Sequence, residues 1–242
     1  MKKALIVGGA NGIGLSIATQ LAKREDYEMI YILDKSVVAP DFQNSKFVNI
    51  QFDLTSEDYS IFDDFNNVDT LMITAGFGKL SLFKNVPEEY ISSSFAVNSI
   101  APIRIIHHFI HKLLDDDFRC GIMVSIAGFM SSPFFAVYGA TKAALKIFIE
   151  SVNVELEKAG SCNRILNVSP GSIKGTSFNK EKTNLNVLSQ LSIDIISHLE
   201  NKDDLFIPQY EEVFKNVLAR YQKDFREEGR HSYDYKIKSD RI

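Results

Sequence analysis

"KALIVGGANGIG", residues 3–14, decides the reading of this chain. Its first half is a short apolar run, the pattern of a strand buried on both faces. Its second half places glycines at 8, 12 and 14, and a helical pattern follows to about residue 24. A strand that turns at once into a helix needs a glycine at the turn. A second glycine lets the backbone approach a diphosphate, and a third lets the helix pack tightly on the strand. The helix start then offers unpaired N–H groups and the positive end of its dipole to an anion. Gly8, Asn11, Gly12, Ile13 and Gly14 are therefore expected to cradle the diphosphate of a dinucleotide. The competing reading, a glycine-rich turn without a ligand, is weakened by the strand before it and the helix after it.

The same rhythm continues outward. "MIYIL" (29–33), "FVNIQF" (47–52), "TLMIT" (70–74), "GIMVSI" (121–126) and "RILNV" (164–168) read as further strands, with helical stretches near 56–65, 87–115 and 139–159. Such alternation predicts a doubly wound α/β fold, a parallel sheet with helices on both faces. No composition break divides the chain, so residues 1–242 read as one domain. After residue 175 the pattern changes. Leu188, Leu191, Ile195 and Leu199 fall at helical spacing, and a mobile lid is expected over about 176–200. "DDLFIP" (203–208) is the candidate seventh strand in a divergent C-terminal segment, 203–242. Tyr210, Val213, Phe214, Val217, Leu218 and Tyr221 mark another amphipathic helix. The final "REEGRHSYDYKIKSDRI" (226–242) is polar without a clean period, and reads equally as a disordered tail or an arm packed on a neighbour.

Composition narrows the function classes. A net charge of −4 argues against a nucleic-acid binder, which carries a basic excess. Two cysteines, Cys120 and Cys162, are too few for a disulfide framework and fit a reducing compartment. The apolar run near the start is only "ALIV", too short for a signal peptide, and no segment is long enough to span a membrane. A cytoplasmic protein without membrane or nucleic-acid partners is expected. "HHFIH" (107–111) sets His107 and His111 one helical turn apart, but it lacks the glutamate base and a third ligand, so no metal is expected. Cys120 and Cys162 read as small core or strand-end residues, and "LLDDD" (113–117) as a solvated helix end.

Asp34 ends the second strand, twenty residues past Gly14. A carboxylate there accepts hydrogen bonds from an adenosine ribose and repels a 2′-phosphate, so NAD is expected over NADP. Asn11 is neutral and does not invite that phosphate, whereas Lys35 beside Asp34 would soften the repulsion.

Tyr-x-x-x-Lys occurs twice, in "YILDK" (31–35) and "YGATK" (138–142). On a strand the two side chains of the first copy stand roughly 13 Å apart. On a helix the same spacing is one turn, about 6 Å of rise, and both side chains share a face. Only Tyr138 and Lys142 can meet. A phenol titrates near ~10, and a nearby ammonium favours its ionised form. Such a tyrosine can take a proton from an alcohol as hydride departs, or return it to a carbonyl. Ser125 ends the fifth strand, on the sheet edge where open parallel sheets bind ligands, and can hold the substrate oxygen.

In chain order, "VGGANGIG", Asp34, "DLT" (53–55), "TAG" (74–76), "VNS" (97–99), Ser125, "YGATK" and "SPGSIKGT" (169–176) resemble the short-chain dehydrogenase/reductase family in its compact form. The resemblance covers residues 3 to about 176 and implies a Rossmann-like NAD(P)-binding fold. It implies that Asp53 and Leu54 flank the adenine, that Ala75 and Gly76 line the cofactor, and that Asn98 serves a proton relay through a helix kink and water. It further implies that Tyr138 and Lys142 contact the cofactor, with Lys142 on the nicotinamide ribose. Pro170, Gly171, Ile173 and Thr176 would cover the nicotinamide and phosphates. Val7 stands where the family has threonine, Ile73-Thr74 replaces an asparagine pair, and Thr176 falls one residue late. The glycine-rich closing strand is absent. A homodimer through the helices at 98–115 and 139–158 is expected, with a tetramer as the alternative.

The expected reaction is hydride transfer between NAD(H) and a secondary alcohol or ketone. Tyr138 is the acid/base, Lys142 its tuner, Ser125 the oxygen holder and Asn98 the relay. Phe129, Phe134, Phe135 and Phe178 suggest an apolar, bulky substrate. The alternative is an NAD(H)-binding sensor or interaction protein without catalysis, against which the complete Ser125/Tyr138/Lys142 set argues. An epimerase or dehydratase would need a substrate domain for which the chain has no room.

Overall fold

Leu5 and Val7 of the first strand pack on one side of the sheet, Ala4 and Ile6 on the other, and all four are wholly buried. A strand buried on both faces needs helices on both faces. The computed structural model, which describes residues 1–114, 117–179 and 181–238, has them. In order the elements are β1 (Lys2–Val7), α1 (Gly12–Ala22), β2 (Tyr27–Asp34), β3 (Phe47–Gln51) and β4 (Thr70–Ile73). Then come α2 (Glu88–Phe95), α3 (Ala101–Phe109), β5 (Arg119–Met123), α4 (Ala136–Lys158) and β6 (Ile165–Val168). The chain closes with α5 (Leu185–Glu200), β7 (Leu205–Phe206), α6 (Lys215–Lys223) and α7 (Phe225–Lys238).

The strands form one parallel sheet in the order β3-β2-β1-β4-β5-β6-β7. Val7 is paired to Leu33 on one side and Ile73 on the other, so the order reverses between β1 and β4. The crevice beyond the strand ends at such a reversal is where ligands bind. This is the doubly wound, Rossmann-like fold expected from the alternating pattern. Among the described residues no helix is long and apolar enough to cross a membrane.

The segment expected as one lid, 176–200, divides in two. Residues 185–200 are α5, and Leu188 and Ile195 are wholly buried. The Ser16 and Ser192 hydroxyls meet at 2.8 Å in the seam between α1 and α5, both fully enclosed, and Gln20 Nε2 donates to Ser189 Oγ at 3.0 Å. This helix belongs to the body of the fold because its apolar stripe covers the sheet. Only the stretch before it, closed by Asn184 N donating to Gly175 O at 3.2 Å, borders the crevice. Lys180, within the expected lid, lies outside the described residues.

Two expected helices are broken, each for a local reason. Over 56–65 only a 3-10 turn forms, Ser60–Phe65. Side chains before it capture the backbone: Asp53 Oδ1 accepts from Thr55 N at 2.8 Å, and Asp58 Oδ1 from Ser60 N at 2.9 Å. Such bonds compete with helix formation. The stretch 87–115 splits into α2 and α3 around a π turn, Ala96–Ile100. Pro102 has no N–H, so the Asn98 carbonyl four residues earlier loses its α-helical donor. Asp115 and Asp116 of the expected helix end lie outside the described residues. Cys120 is buried in β5, whereas Cys162 is exposed and not a core residue.

The polar C-terminus is neither of the two forms expected for it. Residues 225–238 are a helix, α7, folded back over the crevice of the same chain; residues 239–242 lie outside the described set. As a core residue, Ile195 replaced by alanine is expected to cost about 2–5 kcal/mol in urea unfolding. A loss below about 1 kcal/mol would return α5 to the role of a surface lid.

Candidate active site

The glycine turn is a backbone contact before it is a binding loop. Gly8 has φ of +84°, and a Cβ on it would lie 2.4 Å from the Ala75 amide nitrogen. A Cβ on Gly14 would lie 2.3 Å from the Gly8 carbonyl oxygen and 2.4 Å from Thr74 Oγ1. The two departures from the family pattern compensate here. Val7 cannot brace the turn, but the Thr74 hydroxyl does, placed 2.9 Å from Gly8 O and 3.1 Å from Val7 O. The N-terminus of α1 faces the crevice, and Gly12 N donates to Thr183 Oγ1 at 2.9 Å. Thr183 was not expected; nothing in its surroundings in sequence marks it. The ordered glycines and the helix start at the crevice fit a dinucleotide diphosphate.

Asp34 closes β2 with both carboxylate oxygens engaged: Oδ2 accepts from Ala10 N at 3.1 Å and Oδ1 from Ser36 N at 3.0 Å. Asp53 lies beyond β3, its carboxyl held below the usual range by the Thr55 backbone and side-chain donors. The adjacent Leu54 carbonyl accepts from the Tyr59 hydroxyl at 2.7 Å. Lys35 bears on Asp53 electrostatically.

A cavity of about 630 Å³ opens beyond the strand ends. Gly8, Asn11, Gly12, Ile13, Gly14 and Gly76 line one end. Ser125, Tyr138 and Lys142 lie in its wall, with Pro170, Gly171, Ile173 and Thr176 beside them. Asp34, Asp53, Leu54, Ala75 and Asn98 stand behind this lining or beyond it, at the ends of β2 and β3 and under the loop after β4.

Tyr138 and Lys142 sit one turn apart on α4, the Lys142 ammonium nitrogen 5.8 Å from the centre of the phenol ring. The Ser125 hydroxyl accepts from Ala127 N at 3.2 Å and lies near enough to the phenol to pull its titration down. Lys142 Nζ donates to Met123 O at 2.8 Å, which anchors it to the end of β5. The titration behaviour differs from the expectation. Burial pushes the phenol up to about 12, against a smaller downward pull from Ser125, and burial pushes Lys142 down to about 7. Loss of water around both groups outweighs the attraction expected between them.

Asn98 is wholly buried in the π turn, and its amide is used locally: Nδ2 donates to Phe77 O at 2.8 Å and Oδ1 accepts from Phe77 N at 2.9 Å. This side chain pins the loop that carries Gly76. Tyr90 was also missed by sequence reading; its buried hydroxyl has no hydrogen-bond partner among the described residues and acts electrostatically on Tyr138.

Of the four phenylalanines, Phe135 and Phe178 line the cavity and form a cluster with Tyr138, ring centres 5.2 Å from it in each case. Phe134 instead turns under Tyr233 of α7 at 4.5 Å, and Phe129 lies under Lys146 at 5.1 Å outside the cavity. The remaining wall comes from the C-terminus. Phe214 closes on Gly171, where an added Cβ would meet its ring at 2.6 Å, and α7 contributes Glu228, His231, Ser232, Tyr235 and Lys236. The signal for α7 was present in spacing, since these positions recur at helical intervals, but they are polar, and only Glu228 and Lys236 among them are buried.

The sequence pattern of the short chain dehydrogenase family matches residues 2–186. An uncharacterized oxidoreductase of Saccharomyces cerevisiae is 28% identical over 228 residues, spanning 82% of this chain and 70% of that protein. A hydroxynaphthalene reductase-like protein of Metarhizium brunneum is 30% identical over 188 residues, spanning 72% of this chain and 68% of that one. Among solved structures, a short-chain dehydrogenase/reductase of Burkholderia phymatum in complex with NAD superposes with a TM-score of 0.78 at 14% identity, covering 93% of this chain and 94% of that chain. One of Sphingobium yanoikuyae in complex with NADPH gives a TM-score of 0.73 at 18% identity, covering 93% and 96%. The chain belongs to the short-chain dehydrogenase/reductase family, NAD(P)-dependent oxidoreductases that act on small molecules.

Proposed function

We propose that this protein transfers hydride between NAD(H) and a secondary alcohol or ketone. One observation carries the reading: the Tyr138 phenol, the Ser125 hydroxyl and a buried lysine share a cavity with the glycine turn. Bound nicotinamide supplies or accepts the hydride. In reduction, Ser125 and Tyr138 hydrogen bond to the carbonyl oxygen. As the carbon gains hydride, the Tyr138 O–H bond breaks and its proton passes to that oxygen, leaving an alcohol. A phenol pushed up to about 12 keeps its proton throughout the neutral range and so acts as the acid. Lys142, when charged, stabilises the phenolate left behind and binds the nicotinamide ribose. Asn98 fixes the loop at Gly76 and belongs to the path that returns the proton. Gly8, Asn11, Gly12, Ile13, Gly14 and Thr176 hold the phosphates, with Ala75, Pro170, Gly171 and Ile173 around the nicotinamide end.

Asp34 underlies the preference for NAD. Its carboxylate is fixed at the end of β2 by two backbone donors, and a 2′-phosphate against it would be repelled. Asp53 and Leu54 border the adenine. The exposed Ile147 and Val154 on α4 and Ile100 beside α3 suit association of two copies; a solution mass of one chain would remove that part of the reading.

A Tyr138→Phe variant is expected to bind NADH as the parent does and to lose turnover by on the order of a hundredfold or more. Near-parental turnover would refute the role of the phenol. In the same titrations NADPH is expected to bind at least about tenfold more weakly than NADH, and equal affinity would count against Asp34. Because Lys142 is charged below about 7 and neutral above, kcat/KM for reduction is expected to fall as pH rises through that value. A profile flat from about pH 6 to about pH 9 would detach Lys142 from the proton transfer.

A further inference from the structure

We propose that the α6–α7 hairpin is a hinged gate over the Tyr138 end of the cavity, one that swings away from the loop at 131–134 to admit a ligand. The gate rests on the hydride-transfer reading only for which part of the ligand enters there, the nicotinamide. With the hairpin in place, Ser125, Tyr138 and Lys142 are all buried. Val213, Phe214 and Val217 on one arm, and Glu228 and Lys236 on the other, stand in the cavity wall. A wall so placed controls what reaches the phenol.

The hairpin is braced within itself. Arg220 of α6 engages Glu228 of α7 at two points, Nε to Oε2 at 2.6 Å and Nη2 to Oε1 at 3.3 Å. Between the helices Asp224 Oδ1 accepts from Arg226 N at 2.8 Å and Glu227 N at 3.1 Å. The two helices therefore move as one piece. Their hold on the body is of a different kind. Among the described residues from 210 to 238 no apolar side chain is buried, and the two buried positions are Glu228 and Lys236. α5, by contrast, buries Leu188, Ile195, Ile196 and Leu199. Apolar burial is the main force that fixes a helix to a protein body, so α6 and α7 belong to the part of the fold that opens most easily.

Left-handed backbone marks both the root of the hairpin and its resting place. Gln209, with φ of +59°, is the root, and its carbonyl accepts from Val213 N at 3.0 Å. Phe134, with φ of +67°, is the resting place, its ring centre 4.5 Å from that of Tyr233. A bulky residue in that conformation is strained. Beside it the Lys236 ammonium donates to Ser132 Oγ and Pro133 O, each at 2.7 Å, and forms a polar clasp. The Ser131 hydroxyl lies in the same seam, buried and without a hydrogen-bond partner among the described residues. Burying an unpaired hydroxyl costs free energy that contact with water returns. Polar clasps hold the hairpin shut while strain and an unpaired hydroxyl oppose them, the balance of an element with two positions.

The test locks the hairpin with a disulfide. An added Cβ at Gly229 would lie 3.5 Å from Ser131 Oγ, close enough for a Ser131→Cys/Gly229→Cys pair to bridge. Cys162→Ser removes the exposed native thiol. The same full-length protein is compared bridged, with oxidised glutathione, and reopened, with dithiothreitol. The probes are NADH and ADP-ribose, which lacks the nicotinamide. Stopped-flow fluorescence is expected to show NADH associating at least about tenfold more slowly with the bridged form. Calorimetry is expected to give ADP-ribose one affinity in both forms. In the parent chain, α7 amides are expected to exchange hydrogen at least about a hundredfold faster than those of α5. Equal NADH association in the two forms, loss of ADP-ribose binding in the bridged form alone, or α7 amides as protected as those of α5 would overturn the gate. Failure of both forms to bind ADP-ribose would count against the dinucleotide reading instead, and the exchange measurement would still decide the gate.

Discussion

The arrangement depends on a single place where three pieces of backbone touch. β1, α1 and the loop after β4 converge so closely at Gly8, Gly14 and Ala75 that no side-chain carbon fits between them. The Thr74 hydroxyl holds the junction by reaching the carbonyls of Val7 and Gly8. From that junction α1 is aimed with its N–H groups into the crevice, and Gly76 is delivered beside Lys142 and Asn98. The glycine-turn end and the Tyr138–Lys142 end of the cavity are thus positioned by one contact, and a shift there would disturb both.

Burial is the second constraint. Tyr138 and Lys142 are both almost entirely removed from water, and each is pushed towards its neutral form. A neutral phenol is a proton donor, and a lysine near its midpoint at neutral pH can change charge with little cost. Chemistry in such a site is set less by the two residues attracting one another than by the dry surroundings they share. The expectation drawn from spacing alone had the correct neighbours and the wrong dominant force.

Much of the fold was legible because the central strands carry apolar residues on both faces, which leaves little ambiguity in a run such as "ALIV". The Tyr138–Lys142 geometry was legible because helical spacing alone brings the pair together. Other features were hidden for physical reasons. The expected helix before Phe65 failed because Asp53 and Asp58 capture nearby backbone donors, an effect that a hydrophobic period does not register. The bracing by Thr74 was invisible because it pairs two departures distant in sequence. α5 was mistaken for a lid since periodicity reveals an apolar stripe but not the surface it covers. α7 was missed because its inward face is polar, and inward polar faces are recognisable only once a cavity lies opposite them.

The hairpin of α6 and α7 lies wholly beyond residue 186, outside the stretch that matches the family pattern. The proposed reacting groups and the helical part of the cavity wall are therefore encoded in separate parts of the chain. Substitutions in the terminal part need not pass through the sheet, and they leave the tightly constrained junction at Gly8 untouched. A change of ligand made through α6 and α7 would therefore leave the backbone junction and the Tyr138–Lys142 turn as they stand.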